Sequence, residues 1–337
     1  MVGDNARGKD GDCLRRHAFH ARAVFRTTSF QLSLHVSPED FNTHTASPRG
    51  FAQAFIHEKV GANAPTIVCV HGWPETKRIF WKVIAPLRQA GFNVVVPDLR
   101  GFGDSDVAPD GFNDVAAHAG DVVALVRDHL GYDKVVLAGG DLGGPIIQHL
   151  ALTEPGWVDR MVLFNSPLPY DKTTMSHLDT RPPRASMDYF IRQATDADGL
   201  ISELQTERSR MNYIATFYTS RYWAHPGSFS DDNVQFHVAP FADGSKLRAT
   251  FANYESSIPG ARVSAHVKLG PNQHTKTLIL FGPSDRVLYP DFDKMAALVF
   301  TNHVGPFLLR DCGHFVPWEA PHQFVSGAVA FCADLLR

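Results

Sequence analysis

From residue 64 onward the chain alternates short, nearly continuous apolar runs with stretches of helical periodicity, and no other feature constrains its fold as tightly. Thr66–His71, Asn93–Pro97, Lys134–Gly139, Arg160–Phe164, Thr277–Phe281 and Pro306–Arg310 are the apolar runs. Most are apolar at almost every position, as strands buried on both faces are, so they predict a mostly parallel central sheet. Between them, Val115, Ala119, Val122, Val126 and Leu130 fall on one helix face after a candidate Asp114 cap, and Phe324, Ala328, Phe331 and Leu335 repeat that spacing near the chain end. The expected class is α/β, a mostly parallel sheet flanked by helices.

The alternation stops after Asn165 and resumes at Thr277. The intervening stretch is rich in Tyr, Arg, His and Pro and has helical patches but few strand signals. An insertion between two core strands can lean over the strand ends, where open α/β sheets place their ligands. The expected organisation is therefore an N-terminal extension (1–45), mobile over its first dozen residues, a first core part (46–165), a mainly helical cap (166–274) and a second core part (275–337).

At 337 residues the chain is about twice a typical ~150-residue domain. With 44% hydrophobic and 20% charged residues it reads as a folded globular protein, and its 32 basic against 35 acidic side chains lack the basic footprint of a nucleic-acid or anionic-membrane binder. The charged start has no apolar leader stretch and no run of about 18 apolar residues follows, so a cytoplasmic location is expected. Cys13, Cys69, Cys312 and Cys332 are widely spaced, which predicts free thiols and no zinc site.

Chemistry concentrates at strand ends. In Val135–Pro145 a buried strand runs into Gly139-Gly140-Asp141-Leu142-Gly143 and then a helix. This is the glycine-flanked elbow that exposes a nucleophile above the sheet, with aspartate at its apex. Taken alone, Asp141 could equally be a helix N-cap. Upstream, His71-Gly72-Trp73-Pro74-Glu75 follows the first core strand; there the Trp73 N–H, with that of Leu142, would form an oxyanion hole, a Gly-Pro turn being the simpler alternative. Arg100-Gly101-Phe102-Gly103-Asp104-Ser105 lacks the lysine and third glycine of a phosphate loop and reads as a core-bracing turn. Downstream, Asp285 and His314 each follow a strand end, completing the order nucleophile, acid, histidine.

These motifs resemble those of the α/β-hydrolase family, and within it the epoxide hydrolases, over roughly residues 50–335: a His-Gly-x-Pro loop, an Asp-bearing elbow and a late Asp and His. The resemblance implies two cap tyrosines that hold the epoxide oxygen, matched by Tyr189, shortly before Gln193, and Tyr254. Tyr170, Tyr213, Tyr218 and Tyr222 are other cap tyrosines, and a packed tyrosine is the alternative for each. It also implies hydrolysis of a small uncharged epoxide to a diol by way of an ester on Asp141, opened by water that His314 and Asp285 activate. No cofactor, metal, nucleic acid or membrane is expected to take part, and the sequence leaves a homodimer open. His71, Pro74, Trp223 and Phe217 are expected to line an apolar pocket, as are Phe236 and Phe241, with the cap's own core the alternative for each of the four aromatics.

Many relatives carry Trp after the nucleophile; here Leu142 stands there. Haloalkane dehalogenases use that indole for halide, and fluoroacetate dehalogenases follow the nucleophile with arginines, whereas Leu142-Gly143-Gly144-Pro145 offers neither. A haloalkane or haloacid dehalogenase is the competing enzyme, and a non-catalytic hydrolase-fold binding protein is the competing class. A serine-type esterase is disfavoured because the elbow has no hydroxyl.

Overall fold

The six expected apolar runs become the six parallel strands of one sheet. The structure is a computed structural model that describes residues 36–336. Its strands are β1 (Thr43–Ala46), β2 (Gln53–Glu58), β3 (Thr66–Val70), β4 (Asn93–Pro97), β5 (Val135–Gly139), β6 (Val158–Phe164), β7 (Lys276–Phe281) and β8 (His303–Leu308). They are ordered β1-β2-β4-β3-β5-β6-β7-β8, with β1 and β2 antiparallel and the rest parallel. Every residue of β3, β4 and β5 is buried, as their uninterrupted apolar content requires.

The antiparallel pair carries no comparable signal. Thr43–Ala46 is exposed at three of four positions, and β2 mixes Gln, His and Glu with its apolar residues. Thr43 pairs with Ile56, so the sheet begins inside the stretch read as an extension. Just before it, Phe41 meets Trp81 edge-on at 5.1 Å, and the Trp81 indole donates to Ser37 O at 2.8 Å. The mobility expected of the first dozen residues, and Cys13, lie outside the described residues. Edge strand β8 starts three residues before the predicted run; none of its residues is buried, so its first half, His303-Val304-Gly305, carries no continuous apolar signal.

Helices α1 (Trp81–Gln89), α2 (Val115–Val123) and α3 (Gly143–Thr153) precede the insertion, and α10 (Phe292–Val299), α11 (Val316–Glu319) and α12 (Pro321–Phe331) follow it. Asp114 caps α2, accepting from Ala117 N at 3.0 Å. The expected single helix through Leu130 widens to a π-helix over Ala124–His129, where Leu130 N bonds Leu125 O at 3.0 Å; Val122 and Val126 nevertheless remain buried. In α12, Phe324 and Ala328 face the core, and Leu335 lies beyond the helix end. The Arg100 guanidinium is buried and grips Asp121 through two bonds of 2.6 Å and Asp110 through bonds of 2.8 and 3.0 Å, so that loop braces the core.

Between β6 and β7 the chain forms α4 (Lys172–Met175), α5 (Asp188–Thr195), α6 (Ala197–Glu203), α7 (Glu207–Thr219), α8 (Asp231–Val238) and α9 (Gly244–Glu255), with no named strand among these described residues. Its aromatic side chains pack on Trp73, just past the carboxyl end of β3, and on His314, past that of β8. Register aligns those ends: Val70 pairs with Gly139, Gly139 with Leu163, Phe164 with Leu280, and Phe281 with Leu308. The loops that leave these strands therefore emerge side by side.

Candidate active site

Asp141 sits at φ 42°, a left-handed conformation costly for a residue with a Cβ and held only where the surroundings over-determine it. Those surroundings are close backbones. A Cβ on Gly143 would strike the Val70 carbonyl, one on Gly72 would strike the Asp141 side chain, and one on Gly139 would lie 2.8 Å from Gly143 O. The N-cap alternative fails, because the residue before α3 is Leu142 and no side chain caps the helix. The Asp141 carboxylate instead turns to the β3 loop, where Oδ1 accepts the Trp73 N–H at 2.7 Å. That amide is one of the two expected oxyanion donors. No hydrogen bond from the half-buried Leu142 to the carboxylate is present among the described residues.

His314 lies between two carboxylates. Its Nδ1 pairs with Asp285 Oδ2 at 2.8 Å, and its Nε2 stands 3.4 Å from Asp141 Oδ2. Burial alone would lower the His314 pKa, but Asp285 and Asp141 together raise it well above the ordinary imidazole value. Asp285 is itself fixed: Oδ1 accepts from Val287 N at 2.7 Å, and Oδ2 from Asn165 Nδ2 at 2.9 Å.

The two tyrosines arrive from α5 and α9. Tyr189 stacks on Trp73 at 5.3 Å with 6° between the planes, while Tyr254 meets the same indole edge-on at 5.4 Å. Their rings are 5.6 Å apart and perpendicular. Burial chiefly raises both phenols well above 10, followed by the Asp141 charge at Tyr189 and by Tyr189 and then Asp141 at Tyr254, so both stay protonated and able to donate. Phe217 and Trp223 complete this aromatic wall at 4.8 Å and 6.1 Å from Trp73.

Other expected residues have different duties. His71, expected in the pocket, is fully buried; Nδ1 bonds Gly72 O at 2.8 Å and Nε2 accepts from Leu99 N at 3.0 Å, so it braces the loop that carries Trp73. Burial lowers its pKa to about 4, which keeps it neutral. Pro74 is buried and its carbonyl accepts the Tyr218 hydroxyl at 2.6 Å, tying α7 to that loop. Phe236 packs on Trp81 and Trp318 and Phe241 is buried, so Phe236 serves the packing beneath α8. Tyr213 accepts from Gln193 at 2.9 Å. Cys69, Cys312 and Cys332 are buried free thiols.

Two residues escaped sequence reasoning. Asn165, at φ 28°, accepts the Asp141 N–H on its carbonyl at 2.7 Å and donates to Asp285 with its side chain, joining Asp141 to Asp285. Its one sequence signal is its place at the strand end where the alternation stops. Glu75 accepts the Gly72 N–H at 2.6 Å, and burial pushes its carboxyl up to about 7. Among the described residues no group of three or more His, Cys, Asp or Glu is placed to hold a metal, and no helix is long and apolar enough to cross a membrane.

Fold and site thus define an α/β protein with a carboxylate on a strand-to-helix elbow, facing a histidine–carboxylate pair. The family model for the alpha/beta hydrolase fold matches residues 65–321, and the chain belongs to that family. A soluble epoxide hydrolase of Corynebacterium sp. (strain C12) is 26% identical over 295 residues, 87% of this chain and 97% of the relative. The bifunctional epoxide hydrolase 2 of Sus scrofa is 24% identical over 80% of this chain and 51% of its own. Of solved structures, ligand-free epoxide hydrolase CorEH superposes with a TM-score of 0.72 at 24% identity (88% of this chain, 100% of that one), and Aspergillus niger epoxide hydrolase with 0.71 at 18% (88% and 79%).

Proposed function

We propose that the protein is an epoxide hydrolase that works through an ester on Asp141. The observation that carries this reading is one ionisable carboxylate flanked by an oxyanion amide at 2.7 Å, an imidazole at 3.4 Å and, on the same indole, two phenols held in their protonated form. The similarity over nearly the full length of the Corynebacterium enzyme supports it.

The two carboxylate oxygens divide the work. Oδ1 is held by the Trp73 amide, so Oδ2 attacks the epoxide carbon, the C–O bond breaks, and a tyrosine hydroxyl gives its proton to the leaving alkoxide. Oδ1 then becomes the ester carbonyl, already beside its donor. Esterification removes the Asp141 charge, one of the two that raise the His314 pKa, and so turns the imidazolium toward the neutral base. His314 takes a proton from water, the oxygen adds to Cγ, and negative charge builds on Oδ1 against the Trp73 N–H. Collapse expels the diol oxygen, which takes the proton held by His314 and carries off the original Oδ2; the solvent oxygen stays on Asp141, and its remaining proton returns to the tyrosinate. Residues 166–274 act as a cap that brings the phenols over the nucleophile.

A dehalogenase would need a halide donor beside the nucleophile. Leu142 supplies no side-chain N–H, and the Trp73 Nε1 donates to Thr250 Oγ1 at 3.1 Å. A single turnover in heavy-oxygen water, followed by mass measurement of the peptide bearing Asp141, tests the scheme. One heavy oxygen is expected on Asp141 with an epoxide substrate; an unlabelled peptide beside diol formation overturns the ester.

A further inference from the structure

The turn Tyr222–His225, between α7 and α8, is bonded to both loops of the histidine–carboxylate pair at residues adjoining the pair itself. Trp223 O accepts the His314 N–H at 2.7 Å, and Tyr222 O accepts the N–H of Arg286, next to Asp285, at 2.8 Å. On the other side of Asp285, Ser284 Oγ meets His225 Nδ1 at 3.1 Å. Gly313 lies so near this turn that a Cβ would collide with the Trp223 carbonyl, and the Trp223 ring stands edge-on to His314 at 4.6 Å.

One carboxylate closes the arrangement. Glu319 Oε2 accepts from Gly313 N at 2.9 Å, His225 N at 2.8 Å and Ser228 Oγ at 3.0 Å, while Oε1 accepts from Phe315 N at 2.9 Å. It therefore holds both amides that flank His314, together with two donors from the helical insertion. Burial pushes its pKa up and the four donors oppose that. It makes no contact with Asp141 or with either phenol among the described hydrogen bonds.

We propose that Glu319 is the positioning residue for ester opening, clasping the His314 loop to the insertion so that Nε2 is aimed at water over the Asp141 carbonyl carbon. This rests on the covalent reading above. Ester formation needs the ionised Asp141 and a phenol but no proton transfer by His314, so a loosened His314 loop slows the second step and spares the first.

The test is single-turnover mass spectrometry of full-length Glu319→Gln on styrene oxide, following formation and decay of the Asp141 ester. The amide sets an NH2 group against at least one of the four donors. Ester formation within about threefold of wild type and decay slower by roughly tenfold or more are expected, since small misplacements of a catalytic group cost up to about a hundredfold. Steady-state kcat and KM then fall together. Unchanged decay, or formation and decay slowed alike, overturns the role of Glu319. Should the variant not fold, Ser228→Ala removes one donor and is expected to slow decay about two- to tenfold; unchanged decay there overturns the clasp. A wild-type enzyme that forms diol without ester overturns the mechanism of the preceding section instead, and is seen before any variant is made.

Discussion

His314 Nε2 stands 3.4 Å from Asp141 Oδ2 and is a buried nitrogen with no hydrogen-bond partner among the described residues. The pair is electrostatically linked without being locked together. Charge on Asp141 favours the imidazolium, and its loss on the proposed esterification would favour the neutral ring, so one residue would report the chemical state of the other.

This linkage makes Asp141→Asn a neutral stand-in for the ester. The amide removes one of the two anions that raise the His314 pKa, so that pKa is expected to fall relative to wild type, read by NMR titration of the imidazole. In wild type, ester opening should accelerate as pH rises through the His314 pKa of the ester form. The same sign governs stability. A folded pKa above the unfolded value near 6.5 contributes stability at lower pH that is lost as pH climbs through the folded value. Thermal melts of wild type and His314→Gln across that range should converge toward alkaline pH.

His314→Gln should still alkylate. Without a general base, ester opening is expected to slow by about 10²–10⁴-fold. Intact-protein mass spectra after mixing with an epoxide should show the adduct at near-stoichiometric amount; free enzyme with full turnover would remove His314 from its role. Asp141→Ala should form neither adduct nor diol.

Tyr189→Phe and Tyr254→Phe each remove one proton donor and leave the ring packing on Trp73 in place. Each single variant should lower the rate of ester formation, and the double variant should block ring opening, measured as loss of the adduct burst. Because both phenols titrate well above 10, wild-type ester formation should not decline between pH 7 and 9.

Asn165→Asp is nearly isosteric and places a carboxylate where an amide donates to Asp285 Oδ2 at 2.9 Å. Loss of a hydrogen bond to a buried charge, with repulsion added, is expected to lower stability by about 1–3 kcal/mol, checked by denaturant unfolding. Ester opening should slow more than ester formation, since Asp285 acts through His314.

Gly143→Ala tests the elbow. The added methyl would collide with the Val70 carbonyl, a backbone atom of a central strand that cannot swing aside. The variant is expected to be destabilised by several kcal/mol or to be recovered insoluble, as overpacking against rigid backbone dictates. Gly131→Ala, where nothing lies within 4 Å, carries only the strain of φ 76° and serves as the milder control.

Much of this was legible in the sequence because it is local. Burial on both faces forces apolar content at every position, so β3 to β7 declared themselves. Gly139 is required by backbone approach within a few residues, and the order Asp141, Asp285, His314 follows the strands that carry them. Antiparallel β1 and β2 were silent, since an exposed edge strand can be built from Thr, His and Gln.

Only tertiary structure decided the rest. Whether Asp141 caps its own helix or turns to the Trp73 amide depends on a loop 68 positions away. His71 looks like a pocket residue in a motif, and it is its bond from Leu99 N, with that of Gly72 N to Glu75, that makes the pair braces. Asn165 and Glu319 acquire meaning only because parallel register brings four strand ends together, and chain order says nothing about which polar side chain will sit between them. Sequence patterns record what each segment must bury; which groups then face each other is set by how the segments stack.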